Sequence, residues 1–398
     1  MRAGKLIILA GFYLFVSVLA VLVGLEIVQR THPVFPVDLG AAAKADGRRY
    51  FKPNRRYTFD YHWDPSVNRT LHVSTDREGL RRSPSLPPLG ENPVLLLGDS
   101  FIFGASVDDD ETLATLLARR AEKLGLDVAN AGRSGASFGF YTSQAGPLIR
   151  HYRPSGIIVF FYVGNDLLDM AGEPDIPYSD IKPVRPLRRL LRALRDRSEA
   201  VDLIADYLQH NLRTAETAKV RPMQPFVRED GEPYDMDVFR VRWTREDSVV
   251  FDRFARYLEA FRDTVRSFDV PLLFVYIPNK EQVSEASYRE MLAYGGFSPE
   301  RFDLDRPRRE VRGLCERLGI EFQDLTDSLR SEEVTTWYNL VDSHWNPAGN
   351  RRVADLLWST GWIQNLAGEA ERPPGMFGDV AGERNRGVAP DLNHAPTH

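Results

Sequence analysis

The sequence predicts an α/β fold: a parallel β-sheet with helices on both faces, behind an N-terminal membrane helix. Three observations predict it. Short apolar runs alternate with longer stretches of helical spacing, the rhythm of strand–helix–strand units. The runs are apolar throughout rather than at every second residue, as in strands covered on both faces. Leu6 to Leu25 is a run of twenty residues without a charge.

That first run comes to about 30 Å as a helix, the thickness of a bilayer core. Arg2 and Lys5 precede it, and Glu26 and Arg30 follow. A secretory signal has a shorter apolar region with small residues directly after it. Here Ala41-Ala42-Ala43 is the obvious candidate and lies too far downstream, so the run predicts an uncleaved anchor over residues 1–30 rather than a cleaved signal. The basic residues before the span favour a cytoplasmic N-terminus, and Lys44, Arg48 and Arg49 beyond it count the other way. The expectation is a globular part on the extracytoplasmic side, periplasmic or extracellular.

Residues 31–90 are rich in Pro, Arg and aromatics and predict a linker that partly packs on the body. The body spans 91–366. Val94 to Gly98 predicts a central strand. Asp110 predicts the cap of a helix whose face is Leu113, Leu116, Leu117 and Leu124. Asp127 to Ala131 and Gly156 to Val163 predict strands, with a helix over Phe140 to Arg150 between them. Phe251 to Phe268 predicts a helix, Pro271 to Ile277 a strand, and Arg308 to Leu318 a helix opened by Pro307. Ile320 to Phe322 predicts a last short strand, and Pro347 to Trp358 a closing helix. An insertion at about 171–247 interrupts this order with a basic helical segment (Arg185, Arg188, Arg189, Arg192, Arg195, Arg197). A solvated face and contact with an anionic lipid or polymer are both open for it. Residues 367–398, rich in Gly, Pro, Asn and charge, predict a disordered tail.

Composition excludes some functions. The net charge is −5, from 51 basic and 56 acidic residues, which argues against a nucleic-acid binder. Cys315 is the sole cysteine, so an internal disulfide or a Cys-rich metal site is ruled out. The eight histidines are scattered, and no phosphate-cradling loop is present around Gly132 and Gly135. No metal and no cofactor are expected.

The candidate chemistry lies where apolar runs end. Val94 to Leu97 leads into Gly98-Asp99-Ser100, a tight turn that would hold a hydroxyl at its tip. The next run ends in Asn130-Ala131-Gly132-Arg133-Ser134-Gly135, and the one after in Gly164-Asn165-Asp166. Far downstream, Asp342-Ser343-His344-Trp345 offers an imidazole with a carboxylate close behind. A serine hydroxyl is a weak nucleophile until a base takes its proton. Sites of open α/β sheets form at the carboxyl ends of strands, where Ser100 sits.

This ordered set resembles the SGNH hydrolases, also called GDSL-type esterases. Gly98-Asp99-Ser100 matches the first block, Gly135 the second, Gly164-Asn165-Asp166 the third, and Asp342 with His344 the last, across about Val94 to Trp362. The resemblance implies a three-layer α/β/α sandwich with a flavodoxin-like parallel sheet. It implies Ser100 as nucleophile, His344 as general base and Asp342 as its orienting partner. The oxyanion hole would be the Ser100 and Gly135 N–H groups with the Asn165 side-chain amide. Asp99, Arg133, Asp166, Lys280 and Trp345 are expected to contact the substrate, an acyl ester, with carbohydrate as the expected carrier. Asp76, Gly79 and Arg81 resemble a segment upstream of the first block in membrane-anchored members; for Arg81, lining the pocket and a structural salt bridge are both open. One departure stands out. The usual last block has two residues between Asp and His, and here only Ser343 intervenes. Asp-x-His-Trp is similar to a motif of bacterial polysaccharide O-acetyltransferases, which carry it before the nucleophile. Three readings are therefore open: an ester hydrolase, an O-acetyltransferase acting on a glycan, and a non-catalytic envelope scaffold.

Overall fold

The structure, a computed structural model, describes residues 2–31, 51–64, 66–172, 194, 197–198, 200–201, 204, 234–331 and 333–370. Ala41-Ala42-Ala43, most of the insertion with its basic segment up to Arg195, and the tail from 371 lie outside the described residues.

Helix α1 (Arg2–Thr31) contains an 18-residue window, Gly11–Val28, of mean hydropathy 2.3, with none of it buried. It is long and apolar enough to cross a bilayer. The segment expected as a linker contains an antiparallel hairpin, β1 (Arg56–Asp64) and β2 (Val67–Ser74), which reading by composition missed. Tyr57, Tyr61, Leu71 and Val73 are among its buried side chains.

The body follows the predicted order with shifted ends. It runs β3 (Val94–Leu97), α2 (Ser100–Phe103), α3 (Leu113–Ala121), β4 (Val128–Asn130), α4 (Phe138–Tyr152), β5 (Gly156–Tyr162) and α5 (Asp166–Asp169). After the insertion come α6 (Arg245–Arg266), β6 (Leu272–Ile277), α7 (Lys280–Val283), α8 (Glu285–Gly295) and α9 (Arg306–Leu318). Then follow β7 (Glu321–Asp324), α10 (Pro347–Ser359) and α11 (Trp362–Ala370). The cap expected from Asp110 is provided by two other residues. Asp108 caps a single 3-10 turn and Thr112 caps α3, its side chain accepting from Thr115 N. Leu124 falls beyond that helix and is exposed.

Five strands pair in parallel in the order β4-β3-β5-β6-β7. Counted from β3, this is the flavodoxin-like order 2-1-3-4-5. Alternation along the strands divides the core in two. Leu95, Leu97, Ile157, Val159, Phe161, Phe274 and Tyr276 face α4, α6 and α9. On the other face, Val94, Leu96, Ile158, Phe160, Leu273, Val275 and Ile277 meet α3, α10 and α11. The result is a three-layer α/β/α sandwich. In such a sheet the crevice opens at the carboxyl ends of the strands where the chain order reverses, here between β3 and β5.

Candidate active site

Gly98 leaves β3 and turns the chain sharply. A side chain at this position would strike Ile102 and Phe160. Asp99 then caps α2, its Oδ1 accepting from Phe101 N at 2.9 Å. This sets Ser100 at the first helical position, above the carboxyl end of the sheet. Arg81 braces the far side of the turn. Its guanidinium donates to the carbonyls of Phe103, Gly104, Val107 and His72 and pairs with Asp109 at 3.1 Å, so of its two readings the structural ion pair is the one observed.

The downstream carboxylate and imidazole lie on a loop that folds back on itself. Asn339 N donates to His344 O at 2.8 Å, and Asn346 N to Trp337 O at 2.9 Å. Ser343 takes a left-handed φ of 59°. That turn lets Asp342 and His344 meet across a single intervening residue: Asp342 Oδ1 lies 2.6 Å from His344 Nδ1. His344 Nε2 lies 2.7 Å from Ser100 Oγ. The imidazole also packs on Phe101, ring centroids 4.9 Å apart, so the residue after the serine helps seat the ring.

Sheet order β4-β3-β5 and this hydrogen-bonded Ser-His-Asp chain coincide with the pattern that the motifs resembled. The fold is a three-layer α/β/α sandwich on a flavodoxin-like parallel sheet. No family model matches the sequence, and no curated protein matches it. Among solved structures, the chain is similar to TesA at 13% identity, TM-score 0.37, covering 69% of this chain and 99% of that one. It is similar to a Clostridium thermocellum family 3 carbohydrate esterase at 12% identity, TM-score 0.35, covering 70% and 100%. A third is the psychrotrophic esterase EstA from a Pseudoalteromonas species, at 12% identity, TM-score 0.34, covering 69% and 100%.

The other two turns end the strands on either side of β3. Gly135 follows β4 with φ 67°, exposed, with no atom within 4 Å of where a side chain would begin. Asn165 follows β5, and its amide donates to Asp169 Oδ2 at 3.4 Å, a long bond that is readily exchanged. Neighbouring strands are about 4.8 Å apart, which sets these turns side by side with Ser100.

The electrostatics favour a charged imidazole. Burial opposes protonation of His344, but the charge and hydrogen bond of Asp342, with the charge of Asp99, outweigh it and raise the pKa above the usual 6.5. Burial pushes Asp99 up, and the His344 charge offsets part of this. Asp166 is driven well above the carboxylate range, first by burial and then by the charge of Asp99.

Several residues expected to contact substrate do not reach the surface. Asp99 is spent on the α2 cap. Asp166 accepts from Tyr162 N at 2.9 Å from a buried position. Trp345 is buried edge-on against Phe101. Arg133 is buried with its guanidinium 4.4 Å from the Phe140 ring centroid. The reason is common to all four: a polar or aromatic group next to such a turn is as useful for building the turn as for meeting a ligand. Lys280 is partly exposed beside the loop, with Nζ 3.4 Å from Leu340 O.

Three residues that sequence reading missed stand behind Asp342. Tyr61, buried in β1, donates its hydroxyl to Asp342 Oδ2. Asp64, fully buried at the end of β1, accepts from the N–H groups of Val341 and Asp342 at 2.7 and 2.8 Å. Ser66 donates to Asp64 and accepts from Leu340 N at 3.0 Å. The signal that could have found the hairpin is the alternation of aromatic and polar residues from Tyr57 to Asp64.

Proposed function

We propose that this chain is a membrane-anchored serine ester hydrolase that removes O-acyl groups from cell-envelope carbohydrate. The observation that carries the catalytic part is the continuous chain from Ser100 Oγ to His344 to Asp342, at 2.7 and 2.6 Å. His344 takes the Ser100 proton as the hydroxyl attacks the ester carbonyl. Asp342 holds the imidazole by Nδ1 and stabilises the charge that forms on it. The N–H groups of Ser100 and Gly135 and the amide of Asn165 receive the developing oxyanion, each such donor contributing about 2.7–4 kcal/mol. The alcohol leaves with the proton from His344, and water then releases the acyl group. The substrate class rests on the apolar N-terminal helix, with the body on the extracytoplasmic side, and on the family resemblance.

A fluorophosphonate probe tests the reading. The wild-type chain should be labelled, and Ser100→Ala should not. A folded wild-type protein that takes no label favours a binding scaffold instead. The second reading, acyl transfer to a sugar hydroxyl, is favoured by the Asp342-Ser343-His344-Trp345 motif. Products formed with and without a glycan acceptor distinguish the two, since a transferase gives acylated acceptor in place of free acid.

A further inference from the structure

Asp342 is a buried carboxylate, its side chain 4% exposed, and only one of its oxygens faces the imidazole. The other, Oδ2, takes the Tyr61 hydroxyl and, at a long 3.4 Å, the Asn339 amide. Both backbone N–H groups at the base of the Asp342 side chain, those of Val341 and Asp342 itself, end on one oxygen of Asp64. The opposite oxygen of Asp64 is held by the N–H and hydroxyl of Ser66, at 2.8 and 2.5 Å. Tyr61, Asp64 and Ser66 all belong to the β1–β2 hairpin, which begins 25 residues after helix α1 ends and pairs with neither edge of the central sheet. Asp64 is built to be an anion. Burial works against its charge, but the bonds from Ser66 and the N–H groups of Asp342 and Val341 outweigh this and hold its pKa below the usual carboxylate range.

We propose that the hairpin next to the apolar N-terminal helix is part of the active site at one remove: Tyr61 and Asp64 are positioning residues that fix the orientation of Asp342, and through it of His344. This rests on the hydrolase reading above. The physical reason is specific to the one-residue gap. With Ser343 in a left-handed turn, Asp342 and His344 share a short loop, and Leu340 and Val341 at its tip are exposed. Such a loop needs an outside clamp to keep a carboxylate at bonding distance from the imidazole. Asp64 holds its backbone, and Tyr61 holds the carboxylate oxygen that the imidazole does not use.

The charged and titratable groups facing the pair are Asp99 below the imidazole, and Tyr61 and Asp64 behind the carboxylate. Removing the Tyr61 hydroxyl takes a positive dipole end away from Asp342. The carboxylate then pulls harder on the imidazolium, and His344 loses its proton at higher pH. A residue that only supported the fold would lower stability and leave this limb in place.

The test uses the full chain in detergent, with the rate of fluorophosphonate labelling and ester hydrolysis measured against pH. Tyr61→Phe keeps the ring in its buried seat. It should lower kcat by about 10- to 100-fold, the usual cost of losing an outer partner of a catalytic group, with a smaller effect on KM. It should also move the acid limb of the profile upward. Asp64→Asn, which keeps the volume, should reduce kcat by a similar factor. Thermal melts establish that both variants are folded, and if Tyr61→Phe is not, Asp64→Asn decides. Folded variants with wild-type rates and an unmoved acid limb overturn the proposal while the hydrolase reading stands. A wild-type chain that takes no label overturns both.

Discussion

Ser343 stands between Asp342 and His344 with a φ of 59°, a conformation that costs an L-residue roughly 1–2 kcal/mol in the absence of compensation. Ser343→Gly should therefore keep activity and match or exceed wild-type stability. Ser343→Val should lower stability by about 1–2 kcal/mol and depress turnover, because a β-branched residue resists the turn that brings the two groups together. Denaturation curves and initial rates on the two variants check this, and equal behaviour contradicts it. In the proposed mechanism His344 carries the pH dependence. Its pKa is raised in the folded chain, against burial, by Asp342 and Asp99. A general base must be neutral, so kcat/KM should rise through a limb above 6.5 and level off at higher pH. Asp342→Asn should move that limb down. The linkage to stability has the opposite slope: the pair's contribution is complete below about 6.5, the unfolded value, and fades as pH rises through the folded one. His344→Ala should reduce turnover by at least about 100-fold, as for loss of a general base. A limb at or below about 6.5, the ordinary histidine value, or near-normal activity without His344, shows that the base is elsewhere.

At the scale of elements, the ion pair between Arg81 and Asp109 ties the loop before β3 to the turn after α2. Both side chains are nearly inaccessible, 1% and 5% exposed. Arg81→Met should destabilise the chain by about 3–5 kcal/mol, since it leaves a buried carboxylate without its partner. Chemical denaturation measures this, and a loss under about 1 kcal/mol, the range of an exposed pair, contradicts it. Strands β3 and β5 were legible in the sequence because both of their faces are covered, which leaves Val94–Leu97 and Gly156–Tyr162 apolar or aromatic nearly throughout. The helix ends were less so, since Asp108, Asp110 and Thr112 can all cap and the choice depends on where the chain turns. The hairpin was passed over because Pro and Arg around it suggested a linker, although β1 alternates in the pattern of a half-buried strand. Asp342 and His344 were readable as a pair because they are local. The role of Asp64 was not, because its partner Asp342 lies 278 residues away and nothing near Asp64 marks it.

For the whole molecule, the apolar N-terminal helix and the sheet set where the proposed chemistry takes place. Gly11–Val28 lies unburied, so the full chain should sediment with membranes and be released by detergent but not by high salt. A chain lacking Arg2–Thr31 should stay in the supernatant after high-speed centrifugation, and its retention in the pellet would mean that another surface holds the bilayer. In the proposed hydrolase the opening between β3 and β5 collects Ser100 from one strand end and Asn165 from the next, while His344 arrives from far along the chain. The Tyr61 hydroxyl and the Asp342 carboxylate that receives it are 281 residues apart. A ribosome emitting this polypeptide thus delivers the clamp first and the nucleophile second, with the base 244 residues behind the nucleophile. The Ser100 hydroxyl of a nascent chain therefore has no imidazole partner until residue 344 has been added, and a chain stopped short of it lacks the proposed base.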